Sequence, residues 1–174
     1  DGDGFSNQDG NDDFPLDKTE WLDTDSDGLG NNIDVDDDND SVLDGEDAFP
    51  LDTTESIDTD SDGIGNNADD DDDGDGVPDT EDAFPLDKTE TSDTDDDGIG
   101  NNADTDDDGD SISDSDEISS GSNPLLADTD GDGVNDNVDA FPLDPAESSD
   151  SDGDGLGDNA DAFPNDSSET VDSD

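Results

Sequence analysis

Residues 23–47 read DTDSDGLGNNIDVDDDNDSVLDGED, and the spacing of their acids decides the fold. The stretch divides into two 12-residue blocks, 23–34 and 36–47, with Val35 between them. Each block opens Asp-x-Asp-x-Asp, passes through Gly or Ser to an aliphatic residue, and closes on Asp. Six further blocks fall into the same register: 58–69, 71–82, 93–104, 106–117, 128–139 and 150–161.

Aligned, the blocks keep residue types by position. Position 1 is Asp23, Asp36, Asp58, Asp71, Asp93, Asp106, Asp128 and Asp150. Position 3 is Asp25, Asp38, Asp60, Asp73, Asp95, Asp108, Asp130 and Asp152; position 5 is Asp27, Asp40, Asp62, Asp75, Asp97, Asp110, Asp132 and Asp154. Position 6 is Gly except at Ser41 and Ser111. Position 7 is always aliphatic: Leu29, Val42, Ile64, Val77, Ile99, Ile112, Val134 and Leu156. Position 9 is Asn31, Asp44, Asn66, Asp79, Asn101, Asp114, Asp136 and Asp158. Position 12 is Asp34, Asp47, Asp69, Asp82, Asp104, Glu117, Asp139 and Asp161.

Each preference has a physical reason. Alternate carboxylates at 1, 3 and 5 turn inward as the chain curls and present oxygens to one centre. Glycine at 6 permits the sharp turn that follows, and position 7 offers its backbone carbonyl, so its side chain faces away and can be apolar. A carboxylate at 12 closes the shell and can bind through both oxygens. This is the ligand logic of the EF-hand calcium loop. The EF-hand fold itself is not expected, because it needs apolar helices flanking each loop, and here one block runs into the next.

Composition points the same way. Of 174 residues 62 are Asp or Glu, against two Lys+Arg and no His, for a formal charge of −60. Only 22% are hydrophobic and 4% aromatic, too little apolar surface to offset conformational entropy. Nucleic acid and anionic membranes are excluded as partners, since both require basic groups. With neither Cys nor His, oxygen is the only ligand type in quantity, which points to Ca²⁺ or Mg²⁺. No apolar run approaches a transmembrane length. No nucleophile system, phosphate loop or hydrophobic pocket for paired carboxylates is visible, so an enzyme is not expected.

The string Phe-Pro-Leu-Asp recurs at Phe14, Phe49, Phe84 and Phe141, and Phe-Pro-Asn-Asp at Phe163. It marks ten-residue linkers, 48–57, 83–92 and 140–149; the linker 118–127 keeps the length but reads ISSGSNPLLA. The expected organisation is an incomplete repeat plus linker at 1–22 and two-block repeats at 23–57, 58–92 and 93–127. Single-block repeats follow at 128–149 and 150–171, and 172–174 starts a further block. The motif reads as a small apolar plug stiffened by Pro, with a partner-binding motif as the alternative. No segment shows helical or strand periodicity, so turns should dominate.

The pair of blocks 23–34 and 36–47 resembles the long thrombospondin type 3 repeat in a cysteine-free, bacterial form, and 128–139 (DTDGDGVNDNVD) resembles the short one. The resemblance covers nearly the whole chain. It implies an extracellular, elongated solenoid wound around bound Ca²⁺, with positions 1, 3, 5, 7, 9 and 12 of each block as ligands. Where the animal relatives carry cysteines this chain has Ile33, Ala68, Ala103, Phe49 and Phe84, whose apolar contacts, with Leu51, Leu86 and Leu143, are expected to replace disulfides.

At least eight Ca²⁺ are expected. Eight ions carry +16 and bring −60 only to −44. Surplus acids such as Asp70, Asp72, Asp107, Asp52, Glu55, Asp87 and Glu90 could hold more. Asp1 and Asp3 read as positions 3 and 5 of a block begun earlier, Asp172 and Asp174 as positions 1 and 3 of another. The expected role is a calcium-stiffened extracellular spacer, stalk or fibre segment that folds on binding metal. The alternatives are an adhesion or head-to-tail filament module, and a calcium store or mineral-templating surface.

Overall fold

Regular secondary structure is confined to one seven-residue helix among residues 12–169, the part of the chain described in this computed structural model. Asp1, Asp3, Asp172 and Asp174 lie outside the described residues. The chain packs as two units, Asp1–Lys88 and Thr89–Asp174, dividing inside the linker 83–92. No helix among the described residues is long and apolar enough to cross a membrane.

The blocks are built from turns whose backbone is set by two left-handed residues. Position 6 has φ between 82° and 100° in all eight blocks, including Ser41 and Ser111. Position 4 is left-handed too, at 61–79°, and is held by Ser26, Asn39, Ser61, Gly74, Asp96, Gly109, Gly131 and Gly153. Glycine and small polar residues tolerate this region. Carboxylates then bind the backbone locally. The N–H of position 5 donates to Oδ1 of position 3 in every block, at 2.9–3.3 Å. The N–H of position 7 donates to Oδ1 of position 5 at 2.7–2.9 Å.

Each block is closed at its base. The N–H of position 9 donates to the carbonyl of the residue before position 1, as in Asn31 to Leu22 (3.0 Å) and Asp158 to Ser149 (2.8 Å). The linkers are turns as well. Asp52 N–H donates to Phe49 O and Asp87 N–H to Phe84 O, each at 2.9 Å, so Phe-Pro-Leu-Asp is a β-turn with Pro in its preferred second place. Ala48 N–H then reaches Ser56 O (3.1 Å), which folds that linker back on itself.

The expected apolar plugs are not buried. No hydrophobic residue among the described residues is buried, and Ile33 is 64% exposed, Leu86 61% and Leu143 55%. One aromatic per repeat finds too few apolar neighbours to enclose it, so Phe14, Phe49, Phe84 and Phe141 stop at half-buried. The interior is made of acids instead, among them Asp38, Glu55, Asp73, Glu90, Asp107, Asp110 and Glu117.

The helix α1, Asp114–Ser120, was not expected from periodicity. It is made by its ends. The Ser113 side chain accepts from Asp116 N–H, three acids occupy the first turn, and Gly121 at φ 94° returns its N–H to Glu117 O. It covers the last four positions of block 106–117 and enters the linker that has lost Phe-Pro-Leu-Asp.

Candidate metal centres

The carboxylates of positions 1, 3 and 5 converge. Within Asp23–Asp25–Asp27, Asp36–Asp38–Asp40, Asp58–Asp60–Asp62, Asp71–Asp73–Asp75 and Asp93–Asp95–Asp97, one oxygen from each residue lies within 4.8 Å of the others. Three more such acidic groups occur among the described residues. Local hydrogen bonds hold these side chains in place: Oδ1 of positions 3 and 5 accepts backbone N–H groups, and in block 23–34 Asp25 Oδ2 accepts from the Asn39 side chain of the next block at 2.9 Å. In seven blocks Oδ2 of position 1 accepts from the N–H of position 6, as in Asp23 from Gly28 at 3.2 Å.

The two blocks of a long repeat differ in kind. In first blocks position 2 is Thr and position 9 is Asn, and they close the loop with neutral bonds. Thr59 N–H donates to Asn66 Oδ1 (3.0 Å), and Asn66 Nδ2–H donates to Thr59 Oγ1 (2.8 Å). In second blocks both positions are Asp: Asp72 N–H donates to Asp79 Oδ1 at 3.0 Å, and no side-chain bond joins the two carboxylates.

Buried oxygens without a hydrogen-bond partner follow the same division. Block 71–82 has them on Asp71, Asp72, Asp73 and Asp82, and block 36–47 on Asp36, Asp37, Asp38 and Asp47. In the first blocks 23–34 and 58–69 only Asp23 and Asp58 carry one. A buried carboxylate oxygen without a donor is costly unless a cation meets it, so the donor set fits a hard cation bound through oxygen. Burial raises Asp72 above the usual carboxylate range, and the charges of Asp79, Asp69, Asp73 and Glu55 add to it. Asp37 and Asp107 are raised by burial first and then by Asp44 and Asp114.

Glu117 is the extreme case. It has no exposed surface, and neither carboxylate oxygen has a partner. Burial, and then the charges of Asp108, Asp110, Asp136 and Asp114, push its carboxyl up to about 7.

Position 9 acts first as a brace. Its Oδ1 accepts the N–H of position 2 in all eight blocks. In Asp136 and Asp158 the second oxygen also accepts, from the Thr129 and Ser151 hydroxyls.

Several working residues escaped the sequence pattern. Asp12 stands to Phe14 as Asp47 stands to Phe49: its Oδ1 accepts Phe14 N–H at 3.0 Å and its Oδ2 is buried and unpartnered. It therefore makes the same bond to the Phe-Pro-Leu-Asp turn that Asp47 makes. The linker glutamates form a clasp. Glu20, Glu55, Glu90 and Glu147 are buried and accept the N–H of Asn32, Asn67, Asn102 and Asn159 at 2.9–3.1 Å. Those Asn side chains donate back to the carbonyl preceding the glutamate at 2.6–2.7 Å. A Cβ on Gly30, Gly65, Gly100 or Gly157 would overlap the glutamate carboxylate, which explains glycine at position 8 of these blocks. The recurrence of Glu ten residues before glycine and twelve before Asn was the available signal. Among the other surplus acids, Asp52 is exposed and caps its turn by accepting from Thr54 N–H and Oγ1–H.

No protein-family model matches the chain, and no match to a curated protein was found.

Proposed function

We propose that this chain is a calcium-binding structural protein, a spacer or stalk that takes its shape from the ions it holds. The observation that carries the reading is the set of buried, unpartnered carboxylate oxygens at positions 1, 3 and 12, densest in blocks 36–47 and 71–82. Each block holds one ion with the carboxylates of positions 1, 3, 5 and 12 and the carbonyl of position 7. Calcium is favoured over magnesium because it accepts more oxygens, in irregular geometry, from flexible turns. The resemblance of the blocks to thrombospondin type 3 repeats supports the same assignment, and with it an extracellular setting where calcium is millimolar.

The second blocks call for more than one ion. Asp37, Asp72 and Asp107 each bury an oxygen without a partner beside the position-9 acid of the same block. A further ion against Asp72, Asp79 and Asp69, and its equivalents in the other two long repeats, removes that repulsion. Equilibrium dialysis of the whole chain against millimolar Ca²⁺ tests the reading. More than eight ions per chain are expected; a count well below eight contradicts it.

A further inference from the structure

Block 106–117 is joined to its successor unlike any other. The linker 118–127 contains no acid, so block 128–139 has no glutamate to clasp its Asn137. Asp110 takes that place from 27 residues upstream: its Oδ2 accepts Asn137 N–H at 3.1 Å, and its backbone carbonyl accepts from the Asn137 side chain. Asp110 is also position 5 of its own block. Elsewhere the clasping acid, Glu20, Glu55, Glu90 or Glu147, lies in a linker and outside the block's ligand positions.

This contact places Asp136, the chain neighbour of Asn137, beside block 106–117. Asp136 is 4% exposed, and its charge bears on both Glu117 and Asp108. Glu117 is fully buried with two unpartnered oxygens, and Asp108 Oδ2 is buried and unpartnered as well. Each Asp136 oxygen accepts one bond from Thr129, which leaves each a lone pair to offer. Position 12 is Asp in seven blocks and Glu only here; the extra methylene lengthens the reach of this carboxylate.

We infer that a single hard divalent cation, calcium by its all-oxygen surroundings, is shared here between two successive repeats, with Glu117 and Asp108 on one side and Asp136 on the other. The inference rests on the calcium reading of the blocks. It makes the folding of 128–139 depend on the ion of 106–117, a coupling the linker clasps do not impose.

The test is a double-substitution cycle in the whole chain, with Ca²⁺ as the probe, bound ions counted by dialysis and amide exchange followed at Asn137. Glu117→Gln and Asp136→Asn should each weaken the same ion by about tenfold or more, and together no further than either alone. Glu117→Asp, which keeps the charge and shortens the arm, should speed exchange at Asn137 while leaving Asn102 protected. Asp139→Asn, in the own shell of block 128–139, should add its effect to that of Glu117→Gln. Additive losses for Glu117 and Asp136 would overturn the shared ion while leaving calcium binding intact. A wild-type chain that binds no calcium would overturn both.

Discussion

The first and second blocks of a long repeat share a ligand pattern and differ in what holds them closed. In 58–69 the neutral pair Thr59 and Asn66 zips the loop by hydrogen bonds that need no ion. In 71–82 the corresponding pair is Asp72 and Asp79, and position 3 (Asp73) is 4% exposed rather than half-buried as Asp60 is. Both loops share the backbone bond from position 2 to position 9, but one adds a neutral side-chain bond where the other sets two carboxylates. Position 12 follows the difference. Asp69 is directed into the next block, accepting from Asp70 N–H at 2.7 Å and Asp71 N–H at 3.0 Å. Asp82 accepts only from Phe84 N–H and keeps a buried oxygen without a partner. Two similar-looking strings of aspartate thus differ in kind, the first block framing the start of the second and the second carrying more of the buried, unpartnered oxygens.

The sharpest way to break this comparison is at position 3. Asp73→Asn should weaken calcium binding by about tenfold or more, and Asp60→Asn by clearly less, in titrations of the whole chain. Equal losses would remove the distinction between the blocks. Exchanging the braces is the next largest effect. Asp72→Thr with Asp79→Asn should lower the number of bound ions by one and leave loop 71–82 better protected from amide exchange at limiting calcium. An unchanged ion count would show that the two acids hold no ion of their own.

The clasp offers a smaller effect that separates framework from ligand. Gly65→Ala forces Glu55 out of its place and should cost about 1–3 kcal/mol through the loss of a buried, charged hydrogen bond. Glu55→Ala should cost a similar amount, and the pair together little more; the bound-ion count at saturating calcium should stay the same.

The mildest effect is the dependence on pH. The raised carboxyls bind protons more readily in the folded chain than in the unfolded one, so the metal-free folded form gains stability as pH falls and loses it as pH rises. For Glu117 the window runs from 4.5 to about 7. With calcium present the sign reverses, because protons compete for the same oxygens. Calcium affinity should therefore fall as pH drops below about 7, and more steeply for second blocks than for first. Affinity independent of pH across that window would contradict the placement of Glu117 in a metal shell.

Much of this was legible in the aspartates themselves. The 1-3-5 spacing identifies the converging carboxylates because an Asx bond needs a partner two residues on, and glycine at 6 marks the left-handed turn. Position 4 was harder to see, since Ser, Asn, Asp and Gly all fill it and only the shared φ unites them. Asp12 was hidden because the residues before it follow no block pattern, and the clasp because Glu and Asn stand twelve residues apart across a linker. The apolar plugs do not form: Phe49 and Phe84 recur with core-like regularity, yet the turn at Phe-Pro-Leu-Asp fixes them without enclosing them. Helix α1 was invisible to periodicity because seven residues are too few to show it, and its caps, Ser113 and Gly121, are common residues in this chain.

The central claim is that metal and fold arrive together. The most direct measurement is the radius of gyration of the whole chain by small-angle scattering, with millimolar calcium and again after chelation. A chain of formal charge −60 with no buried hydrophobic residue among its described residues should expand to coil dimensions on chelation and recover when calcium is restored. A radius that is the same in both conditions would contradict the account.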